Sequence, residues 1–232
     1  MFDPNADAAP FNKMPIAVLC VIALVGAVEL IFQGAESGII RGQDGMALRS
    51  FWGQRLGFSL SIYEPMWVTK NYDFLAAYRL FTFGFVQHGL STALVALAIF
   101  AALGKYVAEQ FGQVCFLLLT FIAPIFGLLF FVFLIPTSGW VIGLFPAVFA
   151  MVGGFTVRQI DLRRETGEAV LPAFTLIAFL MGIQLFFYFV FDGSLEWIAH
   201  FFSFVVGFAI SSFSGTFGRS RRNQAIRILR NR

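Results

Sequence analysis

The stretch GWVIGLFPAVFAMVGGF, residues 139–155, decides what kind of molecule this is. It is apolar almost throughout and reads as the opening of a membrane helix, yet no polar side chain stands where the helix begins. Proline fits the first turn of a helix, where its missing N–H costs nothing, and costs about 3 kcal/mol or more in a helix interior. A helix opening near Phe145 accommodates Pro146, whereas one opening near Ser138 would carry that proline in its third turn.

Outward from this stretch the composition fixes the solvent. Of 232 residues, 59% are hydrophobic, 18% aromatic and only 12% charged, which cannot be arranged around one water-soluble core. Crossing about 30 Å of hydrocarbon takes roughly 20 apolar residues. Six runs qualify: Pro15 to Phe32, Leu80 to Leu103, Val114 to Ile135, the short Pro146 to Val157, Val170 to Phe191, and Leu195 to Phe213. The expected fold is an all-α polytopic membrane protein. It comprises an N-terminal segment 1–13, a six-helix membrane domain 14–214 with a long first loop at 35–78, and a basic tail 215–232. The first run carries Glu29 and is followed by no clean small-residue cleavage site, so it is expected to remain as a helix.

Lys and Arg gather on the cytoplasmic side of short loops. Lys13, Lys105, the Arg158, Arg163 and Arg164 group and the six arginines from Arg219 to Arg232 share one face, while the segments near Thr137 and Asp192 carry none. Both termini are therefore expected in the cytoplasm, with the tail beside anionic lipid at about 1 kcal/mol per arginine. The net charge of +3 is this topology signal, not a nucleic-acid surface. Cys20 and Cys115 lack metal-ligand spacing and read as small apolar fillers; no metal or cofactor is expected.

The loop 35–78 is too long for a turn and too aromatic for a solvated linker, with Phe51, Trp52, Phe58, Tyr63, Trp67, Tyr72, Phe74 and Tyr78. Trp and Tyr favour the membrane–water boundary, so the loop reads as interfacial; a small folded cap is the alternative.

Ionisable residues inside a membrane mark sites by default, with a satisfied structural histidine as the competing account. His88 lies near the start of the second run, in FVQHGLSTALVAL, and His200 within the sixth, in EWIAHFFSFVVGF. From His200, small residues continue through Ser203, Gly207 and Ser211 at helical spacing. The fourth run offers Ala147, Ala150 and Gly154, with Gly143 just ahead of it. Such stripes let helices approach closely in lipid, so the fourth and sixth spans should pack with His200 at their interface.

The order of these pieces resembles the rhomboid intramembrane proteases: a long amphipathic first loop, then YRLFTFGFVQHG, then LGKYVAEQFG, then a short fourth helix, then an Ala-His helix with Ala199 and His200 and a close-packing Gly207. The resemblance implies a six-transmembrane rhomboid-like bundle. It also implies that a Gly-x-Ser-Gly motif supplies the nucleophile, the last helix the histidine base, and polar residues of the second span the oxyanion site. This chain departs from that pattern. The motif falls at GLFP, residues 143–146, which puts Phe145 at the serine and Pro146 at the second glycine. The second-span positions read as Gln87 or His88, then Thr92, then Ala96. Phenylalanine neither attacks nor donates, and it is expected to fill the vacated pocket against His200 and Phe149.

Ser138, in SGWVIGL, is the alternative nucleophile, about two turns or roughly 10 Å outward along a helix. The resemblance then implies a pseudoprotease that binds transmembrane clients or partners without cleaving them. The alternatives are an active serine endopeptidase using Ser138 and His200, and an accessory subunit of a larger membrane complex. A bacterial inner membrane is the expected location.

Overall fold

The computed structural model describes residues 13–40, 42–45, 47–59, 77–134, 140–191 and 193–214. Its helices are α1 (Ile16–Glu36), α2 (Leu48–Leu56), α3 (Arg79–Thr82), α4 (Leu90–Phe111), α5 (Gln113–Leu134), α6 (Phe145–Thr166), α7 (Thr175–Phe191) and α8 (Glu196–Ser214). Two short strands, β1 (Phe58–Ser59) and β2 (Trp140–Val141), pair antiparallel with Phe58 opposite Val141.

Among the described residues five helices are long and apolar enough to cross a bilayer: α1, α4, α5, α7 with its leading 3₁₀ turn, and α8. The chain is an all-α polytopic membrane protein. The surface confirms the solvent, since large apolar side chains such as Leu30, Phe133, Phe189 and Phe213 stand exposed around the bundle, as a lipid-facing surface requires.

The remaining long helix, α6, forms the centre. From Pro146 to Gly154 every residue is buried, and Phe149, Ala150, Met151 and Val152 pack in one core with Phe100 and Val107 of α4, Phe116 and Leu119 of α5 and Phe204 of α8. Pro146 falls in its first turn, as the cost of an interior proline requires. The apolar run ends near Val157 but the helix does not. Charged residues carry it to Thr166, Arg158 Nε donates to Gln110 Oε1 at 3.0 Å, and Gly167, at φ 72°, ends it in the left-handed conformation open to glycine.

The second span also differs from its apolar run. Leu80 belongs to the separate short helix α3, and the membrane helix begins only at Leu90, after a 3₁₀ turn at Phe83–Phe85 and the extended Gly89. The apolar run could not reveal this because Phe81, Phe83 and Phe85 keep it hydrophobic across the break.

The described part of the first loop is tied down by carbonyls at the end of α2. Tyr78 Oη donates to the Arg55 carbonyl at 2.8 Å, Arg79 to the Gln54 carbonyl at 2.6 Å, and Thr82 Oγ1 to the Leu56 carbonyl at 2.8 Å. On the other side of α2, Arg49 is buried between two α1 carboxylates. It donates to Glu29 at 2.9 Å from each of Nη1 and Nη2, and also to Glu36 and to the Gln87 carbonyl. Glu29, buried inside the first span, thus has a cation 20 residues away, without which its burial would be strongly unfavourable.

Candidate functional site

The site is built around the entry of α6. Gly143 turns the chain at φ 111°, a conformation that favours glycine, and its N–H donates to the Phe83 carbonyl at 2.9 Å. The next N–H, of Leu144, donates to Gln87 Oε1 at 3.2 Å, while Gln87 Nε2 donates to the Gly84 carbonyl at 2.8 Å. Gln87 is wholly buried and both ends of its amide are engaged. It clamps the helix start to the 3₁₀ turn, rather than standing among donors to an oxyanion.

His200 occupies the first turns of α8, 6% exposed. Its Nδ1 lies within hydrogen-bond distance of Gln184 Oε1 of α7, at 3.0 Å. The imidazole stacks on Phe149, with centroids 5.2 Å apart and planes 12° apart, and Phe145 leans against it at 5.9 Å and 48°. Both phenylalanines come from one face of α6, four residues apart. A general base needs a hydroxyl within hydrogen-bond reach, and the group that α6 brings to the imidazole is a phenyl ring. Ser203, one turn along α8, donates to the Ala199 carbonyl at 2.8 Å. Ser138 lies outside the described residues.

Phe145 does not fill the pocket. A cavity of about 350 Å³ remains beside it, walled by His88 and Thr92 near the start of α4, Gln184 of α7, and Glu196 and His200 of α8. The ring is only partly buried because it lies along the cavity wall. Between Gln87 and His88, it is therefore His88 that meets the cavity, and Ala96 is sealed in the core. His88 Nε2 stands 3.6 Å from Glu196 Oε1. Partial burial, and then the positive charge of Arg49, hold the His88 pKa below its ordinary value and favour the neutral imidazole.

Glu196 and Gln184 were not singled out in the sequence. Glu196 was open to detection: it precedes His200 by four residues, so the two share a helix face. Gln184 was not, because its pairing depends on how α7 is rotated.

The small residues set the distance between helices. A Cβ on Gly207 would land on the Ala150 carbonyl, one on Gly154 would meet Ser211 Oγ at 2.9 Å, and Gly153 lies against the backbone of Gly207 and Phe208. Ala147, expected at this seam, is buried elsewhere: it borders a space shared with Val21 of α1 and Thr120 and Pro124 of α5. Ser203 faces a third helix instead, where Gly127 of α5 leaves no room for a side chain.

A family model described as the Rhomboid domain matches residues 75–216 of the 232. No curated protein matches the chain.

Proposed function

The chain belongs to the rhomboid family, and from the ring at its nucleophile position we propose that it is a pseudoprotease that binds transmembrane clients or partners without cleaving them. The observation that carries the reading is Phe145, 5.9 Å from His200 by ring centroids where a serine hydroxyl would have to stand. Around it the framework of a binding site persists. His200 is buried and held by Gln184, and a cavity of about 350 Å³ stays open beside the aromatic pair. In this reading the second-span residues His88 and Thr92 have become cavity wall, and Gln87 a structural clamp. The protein works in a bacterial inner membrane with both termini cytoplasmic and its basic tail, residues 215–232, against anionic lipid.

The test is direct. Purified protein in detergent, treated with a fluorophosphonate probe, should remain unlabelled, and a transmembrane model substrate should be recovered intact. Labelling that vanishes in Ser138→Ala would replace this reading with an active serine endopeptidase. A fixed-stoichiometry partner on purification, with no transmembrane segment held at the cavity, would replace it with an accessory subunit.

A further inference from the structure

We propose that the cavity walled by α4, α7 and α8 receives a cationic side chain, a lysine or arginine of a transmembrane client, with Glu196 as its counter-charge; this rests on the client-binding reading above. Glu196 opens α8, and a carboxylate in the first turn of a helix is favoured by the backbone dipole alone. That explains a solvent-facing glutamate. This one is 17% exposed at the side chain and lines the cavity. Its facing polar group among the described residues, His88 Nε2, stands at 3.6 Å, too far for a hydrogen bond. A carboxylate offers about four acceptor positions, so Glu196 stands ready for a donor that the cavity can admit.

The sign of that donor follows from its surroundings. Among the described residues His88, Tyr188 and His200 are the other ionisable groups lining the cavity; of these His88 stands nearest Glu196, and burial, then the charge of Arg49, favour its neutral form. His200, further in, has Nδ1 engaged by Gln184. Arg49 is spent on Glu29 and Glu36. Among the described residues no lysine or arginine answers Glu196, and burying its ionised form is costly unless a cation stands beside it.

The remaining walls suit the same guest. Phe145, Phe187, Tyr188 and Trp197 line the cavity, and aromatic faces attract ammonium and guanidinium groups. About 350 Å³ lies within the range of small-ligand pockets and takes a lysine or arginine side chain whole. An apolar client side chain would fit by volume but would leave Glu196 unanswered.

The probe is a leucine–alanine transmembrane peptide with one lysine, scanned along the helix, and a photoreactive diazirine on the next residue. Norleucine and Nε-acetyl-lysine versions serve as uncharged matches. In phosphatidylcholine nanodiscs at pH 7, the lysine peptide at its best position should cross-link about tenfold more than either match. The adducts should map to the cavity segments around Phe145 and Trp197, and Glu196→Gln should remove the preference. The comparison among peptides uses the unaltered protein, so it decides the matter even if that variant fails to fold. Equal cross-linking of all three peptides at the cavity would overturn the cation site and leave client binding standing. Cross-linking of none would overturn both, and a lysine preference that survives in folded Glu196→Gln would overturn the role of Glu196.

Discussion

At position 145 a benzyl group stands where a hydroxymethyl would give a nucleophile, and its neighbours show how far the change extends. Phe149 is 1% exposed and stacked on His200, so Phe149→Ala should cost about 3–5 kcal/mol. Phe145 borders a cavity already, and Phe145→Ala should cost about half as much as a fully buried Phe→Ala change. Reversible unfolding in mixed micelles would measure both; equal losses would mean that Phe145 is as enclosed as Phe149. Restoring the motif by Phe145→Ser with Pro146→Gly should still give no measurable cleavage of a transmembrane substrate. Gln87 is committed at both ends to Gly84 and Leu144, and each absent oxyanion donor removes about 2.7–4 kcal/mol of transition-state stabilisation. Robust cleavage by the double variant would show that the remaining machinery is intact. The identity of residue 145 was legible in the sequence, because a motif position is read from one residue. The commitment of Gln87 was not, because an amide can serve an oxyanion or a helix start equally well until the backbone around it is known.

Between elements, α6 lies directly against α8, and glycine sets the distance. In Gly207→Val the new side chain would collide with the Ala150 carbonyl, which is backbone and cannot move aside. The expected loss is at least the roughly 1–3 kcal/mol of an overpacked core, seen as a lower midpoint or as failure to accumulate. Gly182→Ala in α7, where a Cβ meets nothing within 4 Å, should be neutral or slightly stabilising. If the two behave alike in the same unfolding assay, the close seam is wrong. Arg49 makes a second joint, between α1 and α2. Arg49→Met would leave Glu29 buried without its cation, at about 3–5 kcal/mol, whereas Arg49→Met with Glu29→Leu should recover most of that loss. Failure of the double change to recover would place Arg49's main contribution in its bond to the Gln87 carbonyl. The existence of these helices was legible from apolar run length, and the α6–α8 seam only in part: Gly207 does meet Ala150 and Gly154 meets Ser211, but Gly153 joins them unannounced while Ser203 and Ala147 turn to other neighbours. The start of α4 and the far end of α6 were not. Hydrophobicity continues across the break before Leu90, and charge interrupts the hydrophobic run within α6 without ending the helix.

Across the whole molecule, burial is unequal. The central α6 is enclosed by its neighbours, while of α7 only Ile177 is buried, and most of its phenylalanines face outward. Loss of structure should therefore begin at α7. With Cys20 and Cys115 replaced by serine or alanine, a single cysteine at Phe187 should become thiol-reactive at lower SDS mole fraction than one at Met151; simultaneous exposure would mean that the bundle opens as one unit. The buried Arg49 has a different consequence, in time rather than in space. A ribosome delivers Glu29 to the membrane 20 residues ahead of Arg49, so for an interval the first helix holds an acid whose partner has not yet reached the membrane. A charged residue at the centre of an inserting helix is disfavoured by a few kcal/mol. The nascent α1 should therefore remain in contact with water until α2 arrives. Biogenesis of this protein is then a relay, in which the first loop completes the insertion of the helix that precedes it.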